Sequence, residues 1–149
     1  GSLPGNIHSA AFDGDGMALR TTCIVEDGKA VAYYGDNRFG QYLEEAPTGN
    51  LRCMQVEPGT ACPKCLTAAP YLEVLSMSGL QVDFYNDYIG GEVRLAYYHD
   101  GEKTIPVTGI SISGKLSQVL DHIRLSRETA LHGGYFGPAK AVLQDMKIF

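Results

Sequence analysis

The sequence predicts an α+β fold, predominantly antiparallel β in a sandwich or barrel-like sheet, with one or two covering helices. Three observations carry that expectation. Asp-Gly pairs punctuate the chain in Asp13-Gly14-Asp15-Gly16, Glu26-Asp27-Gly28-Lys29 and His99-Asp100-Gly101-Glu102, where a primed hairpin turn needs positive φ. The flanking segments are extended in character, rich in β-branched and aromatic residues. Helical periodicity is confined to two short windows.

Taken in order, residues 18–25 (ALRTTCIV) and 29–34 (KAVAYY) pair about the second turn, and residues 92–98 (EVRLAYY) and 103–107 (KTIPV) about the third. Pro106 lacks an N–H and belongs on an edge. Further strands are expected at 51–56 (LRCMQV), 71–77 (YLEVLSM), 80–85 (LQVDFY) and 141–149 (AVLQDMKIF). In residues 115–126 (KLSQVLDHIRLS) the apolar Leu116, Val119, Leu120 and Ile123 recur at i, i+3, i+4 and i+7, an amphipathic helix with Ser113 available as its cap. Residues 36–45 (DNRFGQYLEE) predict a shorter helix capped by Asp36, although Gly40 costs about 1 kcal/mol against Ala in its interior.

A chain of 149 residues, 44% apolar and 19% charged, is long enough to bury a core without disulfide staples. The opening Gly1-Ser2-Leu3-Pro4-Gly5 reads as a tag scar, so residues 1–11 are taken as a lead and 12–149 as one domain. A formal charge of -5, with Lys and Arg scattered singly, argues against nucleic acid as partner. No apolar run approaches the ~20 residues that span a bilayer, so no membrane partner is expected either. Four cysteines and no secretory leader suit reduced thiols in a cytoplasmic setting.

Cys62-Pro63-Lys64-Cys65 is the most conspicuous chemical motif. A structural zinc site needs four N or S ligands, and no second pair follows at ribbon or finger spacing. A thioredoxin-like redox pair should open a long helix, which Pro63 and Pro70 leave no room for. The thiols read first as structural or incidental, with zinc and redox roles as alternatives. Ile110-Ser111-Ile112-Ser113-Gly114-Lys115 resembles a phosphate loop but lacks its first glycine and its length, so it reads as a strand-to-helix turn. Neither G-x-S-x-G nor HExxH nor HExxxH is present. His132, beside Gly133 and Gly134, is the most suggestive single histidine, yet reads first as a surface-loop residue. No catalytic residue and no metal ligand is assigned.

Taken together and in order, several stretches resemble the C-terminal half of the TldD/PmbA family, also labelled modulators of DNA gyrase and regarded as metallopeptidases. They are Phe12-Asp13-Gly14-Asp15-Gly16 with residues 20–36, Pro47-Thr48-Gly49-Asn50 as the family's T-G-N turn, Glu57-Pro58-Gly59-Thr60 as its P-G-[ST] step, and residues 105–114 (IPVTGISISG) as its P-V-x-G-x-x-I-S-G run. The resemblance covers the chain from about Phe12 onward. It implies part of a dimeric cytoplasmic peptidase, homodimer or heterodimer with a related subunit, that processes or degrades small peptides. It places the zinc-binding HExxxH N-terminal to this region, so zinc is implied for the full-length family and none for this chain alone. One branch adds a Cys ligand from a Gly-rich turn near the C-terminus; in Gly133-Gly134-Tyr135-Phe136-Gly137-Pro138 that position is Phe136, which cannot ligate zinc. The alternative reading is therefore a non-catalytic peptide-binding or assembly module acting as partner subunit, and the third a small zinc or redox protein built on Cys62 and Cys65. Thr48, Gly49, Asn50, His132, Gly133 and Gly134, in glycine-lined loops suited to backbone pairing with an extended peptide, are the candidate substrate-binding residues.

Overall fold

The computed structural model describes residues 3–68 and 70–149. The elements in chain order are β1 (Val25–Glu26), β2 (Lys29–Ala30), α1 (Asn37–Leu43), β3 (Met54–Gln55), α2 (Pro63–Leu66), β4 (Tyr71–Asp83) and β5 (Tyr88–His99). There follow β6 (Thr104–Val107), β7 (Ile110–Lys115), α3 (Leu116–His122), β8 (Arg124–Leu125), β9 (Thr129–His132), β10 (Tyr135–Pro138), β11 (Ala141–Val142) and β12 (Lys147–Ile148). Strand makes up about 40%, mostly in antiparallel pairings, and helix 12%, and among the described residues no sheet closes into a barrel. Among the described residues no helix is long and apolar enough to cross a membrane. The chain forms two compact units, Gly1–Glu57 with Thr129–Gly137, and Pro58–Glu128 with Pro138–Phe149.

The first unit is turn-rich. Asp27 (φ 49) and Gly28 (φ 75) make the expected tight turn, but its ladder is only Val25↔Ala30 and Glu26↔Lys29, far shorter than residues 18–34 suggested. Phe12 and Ala18 form a single bridge about Asp13-Gly14-Asp15-Gly16. In α1 Asp36 is the cap, its Oδ1 accepting the Phe39 N–H at 3.1 Å, as its sequence position predicts. Gly40 is buried there, and an added Cβ would sit 2.8 Å from Pro47, so packing explains a glycine that helix propensity disfavours. A three-stranded sheet of order β3-β10-β9 completes the unit.

The second unit is a five-stranded sheet, β12-β7-β5-β4, with β6 also on β5. The sequence runs 71–77 and 80–85 prove to be one strand, β4, because its ladder with β5 continues through Ser78-Gly79 at the expense of register shifts. The β5–β6 hairpin forms as expected, and Pro106 lies on β6, which among the described residues pairs with β5 alone. On β5 the buried positions are Ile89 and Gly90, then Val93, then Ala96. An irregularity at Arg94 and Leu95 moves the inward face by one residue, which is why strict alternation is missing from the sequence. Opposite it, Gly109 takes φ 68 and the Thr108 hydroxyl donates to the Arg94 carbonyl at 2.8 Å.

Val93, Ala96 and Ile112 form one buried cluster, and Ile89, Leu116 and Val119 a second, with Met146 packed against both. The helix covering this sheet is shorter than periodicity predicts and is not capped by Ser113, which is a β7 residue paired with Lys147 and Gly90. Its first turn is held by Asp87, which accepts the Leu116 N–H on its carbonyl and the Ser117 N–H on Oδ1 at 2.7 Å. It stops at Ile123 (ψ 135), because Arg124 and Leu125 turn to pair with Val142 and Ala141.

At the other end of α3, His122 Nδ1 lies 2.6 Å from Asp145 Oδ2. That hydrogen bond, with the charge of Asp145, raises the His122 pKa. The pair stabilises the fold fully below the ordinary histidine value near ~6.5, and the contribution is lost as pH rises through the raised folded value. Both groups are exposed, so the effect is small and screened by salt. The thermal midpoint of the native chain should exceed that of Asp145→Asn at pH 5.5 in low salt, and the two should converge at pH 9. A gap that persists at pH 9 overturns the assignment.

Candidate functional site

Both glycine-lined loops fall in the first unit. Thr48 is buried, and its hydroxyl accepts the Gly35 N–H at 3.1 Å while lying 3.2 Å from the Gly35 and Gly49 carbonyl oxygens. Its polar capacity is thus used internally. Gly49 has φ 77, a conformation that disfavours a side chain. Asn50 is exposed; its N–H is held by Asp13 Oδ2 at 3.1 Å, and the Tyr34 hydroxyl lies 3.3 Å from its Oδ1. Asp13 also accepts the Met17 and Asp15 N–H groups on Oδ1. The Met17 N–H foremost, with help from Asn50 and Asp15, lowers the Asp13 pKa.

Gly133 and Gly134 link β9 to β10, too short a connection for anything but a hairpin. Gly133 takes φ 51. Gly134 packs its Cα face onto the Arg52 carbonyl, leaving no room for a Cβ, and its own carbonyl accepts the Met54 N–H at 2.6 Å. His132 ends β9 and is exposed, rather than sitting in a loop. The Asn6 side chain, itself buried, donates to the Gly133 carbonyl. Segment 51–54 therefore joins the two loops: it leaves Asn50 and runs directly onto Gly134. β3 then pairs in parallel with β10, Tyr135↔Met54 and Phe136↔Gln55, and forms the outer strand of its sheet.

The sequence gives no sign that Asp13, Tyr34 and Asn6 help to build the site. Asp13 reads locally as a turn former, and nothing near it announces a partner 37 residues away.

In the second unit Cys62 is the N-cap of the four-residue α2, with Pro63 at the first helical position. Its sulfur accepts the Cys65 N–H at 3.3 Å. All four cysteines are free.

A family model described as the PmbA/TldA metallopeptidase C-terminal domain matches residues 1–149. The chain belongs to this family. No curated protein sequence matches it.

The PmbA/TldA family is metallopeptidase-related, which is consistent with a metal in a longer protein, and the residues present test whether this domain could hold one. Among the described residues no three His, Cys, Asp or Glu side chains are grouped as metal ligands. Phe136, at the position where the resemblance would place a Cys ligand, is a half-buried β10 residue whose carbonyl accepts the Val56 N–H at 2.9 Å. These residues do not fit a zinc centre, and no catalytic step through a metal is derived from them. What the PmbA/TldA domain offers instead is backbone: an outer strand framed by two turns with little side-chain bulk.

Proposed function

We propose that this domain forms part of the peptide-binding wall of a cytoplasmic PmbA/TldA-type metallopeptidase, taking an extended peptide along the outer edge of β3. The observation that carries the reading is the position of β3 at the end of the β3-β10-β9 order, reached from Asn50 and laid against Gly134. Met54 and Val56 direct their N–H groups to β10, so by strand alternation the N–H of the intervening Gln55 points the other way, toward an added strand. Pairing through the main chain gives affinity with loose side-chain specificity, which suits degradation of varied small peptides. Thr48 and Gly49 contribute by shaping the backbone, because the Thr48 hydroxyl is already engaged. The four free thiols support a reducing compartment.

The test is peptide hydrolysis by the full-length protein carrying Gln55→Pro. Proline deletes the outward N–H and leaves both β10 hydrogen bonds in place, a substitution that outer strands tolerate. KM for an extended peptide should rise about tenfold, the worth of roughly 1.4 kcal/mol, with far-UV circular dichroism unchanged. An unaltered KM in a folded variant overturns the proposal.

Phe136 favours a second reading, in which the domain belongs to a non-catalytic subunit that presents peptide to a related partner. Chelator-sensitive hydrolysis by the protein alone rejects that reading; hydrolysis that appears only after a related subunit is added supports it.

A further inference from the structure

Cys62 and Cys65 have no part in the peptide-binding reading, and they are built together. Residues three apart on a helical turn place their Cα atoms about 5 Å from each other, inside the ~4.4–6.8 Å range that a disulfide spans. The turn is fixed at both ends. Before it, Ala61 donates its N–H to the Leu125 carbonyl at 3.3 Å and accepts the Arg127 N–H at 3.0 Å; after it, Leu66 is buried. Within it, Pro63 sets the first helical residue and the Cys62 sulfur already faces inward across the turn to the Cys65 amide. Cys62 is half-buried and Cys65 exposed, so both are within reach of a small solute. In the first unit, by contrast, Cys23 donates to the Val25 carbonyl at 3.4 Å and Cys53 lies 4.0 Å from the Ser9 hydroxyl.

We propose that Cys62 and Cys65 are a reversible dithiol–disulfide couple that exchanges with low-molecular-weight disulfides, Cys62 attacking and Cys65 resolving. The Cys62 thiolate displaces one thiolate from the small disulfide and forms a mixed disulfide with the other half. Cys65 then attacks Cys62 Sγ and expels that half as a second thiolate. The two protein thiols are oxidised to one disulfide, the small disulfide is reduced to two thiols, and the protons of Cys62 and Cys65 end on the two molecules released. The division of roles follows the hydrogen bonding. The Cys65 thiol, reinforced by the Cys65 amide, favours the thiolate of Cys62 and lowers its pKa, while the same shared hydrogen bond raises that of Cys65. A four-residue helix is too short for a thioredoxin-like oxidoreductase but sufficient for a reversible oxidation site, so the chemistry expected is self-oxidation of this domain and not catalysis on a protein substrate.

The test uses the reduced full chain, oxidised glutathione as the probe, and acid quench followed by alkylation and peptide mass mapping. The expected product lacks two hydrogens in the peptide spanning Cys62 and Cys65, with Cys23 and Cys53 still alkylated, and dithiothreitol restores it. Cys65→Ser should trap glutathione on Cys62, whereas Cys62→Ser should slow modification of the motif about tenfold or more. A stable mixed disulfide in the native chain, oxidation shared equally with Cys23 and Cys53, or unreacted motif thiols overturns the proposal. The readout is independent of peptide hydrolysis, so it stands or falls apart from the peptide-wall reading.

Discussion

Gly134→Ala is expected to destabilise the domain by about 3 kcal/mol or more, the range of overpacking against groups that cannot yield. The added methyl meets the Arg52 main-chain carbonyl, and Arg52 cannot retreat without stretching the hydrogen bond from Met54 N–H to the Gly134 carbonyl. Relief would therefore pull β3 from β10. Gly133, next in the chain, makes the contrast: nothing lies within 4 Å of a Cβ built there, and only its φ of 51 opposes substitution. Gly133→Ala should cost about 1 kcal/mol, the price of a left-handed backbone, and Gly133→Asn less. Urea denaturation of the three variants checks the ranking, and equal costs for the two alanines would show that turn conformation rather than close packing governs the site. Because β3 is the proposed peptide edge, Gly134→Ala should also weaken peptide binding at temperatures where the variant remains folded.

Ser126→Val should cost about 3 kcal/mol, from two sources that can be separated. Ser126 is 1% exposed, and its hydroxyl donates to the Glu128 carbonyl at 2.7 Å and accepts the Lys140 N–H at 3.0 Å. Glu128 keeps a second donor in the Ala139 N–H, so the group left unpaired by removal of the hydroxyl is the Lys140 N–H. That loss is worth about 1–3 kcal/mol, and the larger side chain adds about 1–3 kcal/mol of crowding. Ser126→Thr retains the hydroxyl and carries the crowding alone; Ser126→Ala carries the unpaired donor alone. Their summed losses should approach that of Ser126→Val in thermal or urea unfolding. A neutral Ser126→Ala would mean that the Lys140 amide finds another acceptor.

What could be read from the sequence was local. The Asp-Gly turns at Asp27-Gly28 and Asp100-Gly101 announce themselves because positive φ is needed at or beside them, and the Asp36 cap because a carboxylate precedes a short helical pattern. What could not be read depends on distant partners. Ser78-Gly79 looks like punctuation, yet the β5 ladder carries β4 through it. Periodicity continues the third helix to Ser126, yet pairing of Arg124 and Leu125 with β11 ends it at His122. In the site, the glycines were visible as glycines. The parallel pairing of β3 with β10, the grip of Asp13 on Asn50 and that of Asn6 on Gly133 connect residues whose neighbours in sequence give no sign of them.

Asp87 carries a consequence for the order in which the chain folds. A seven-residue helix without a side-chain cap of its own is too short to persist in water, and here the missing cap arrives from a loop 30 residues upstream. Nucleation of α3 must then wait until β4 and β5 have closed and brought the carboxylate into place. A peptide of residues 110–126 should be a random coil by circular dichroism, and Asp87→Ala should slow refolding less than it accelerates unfolding, the kinetic mark of an interaction formed after the rate-limiting step.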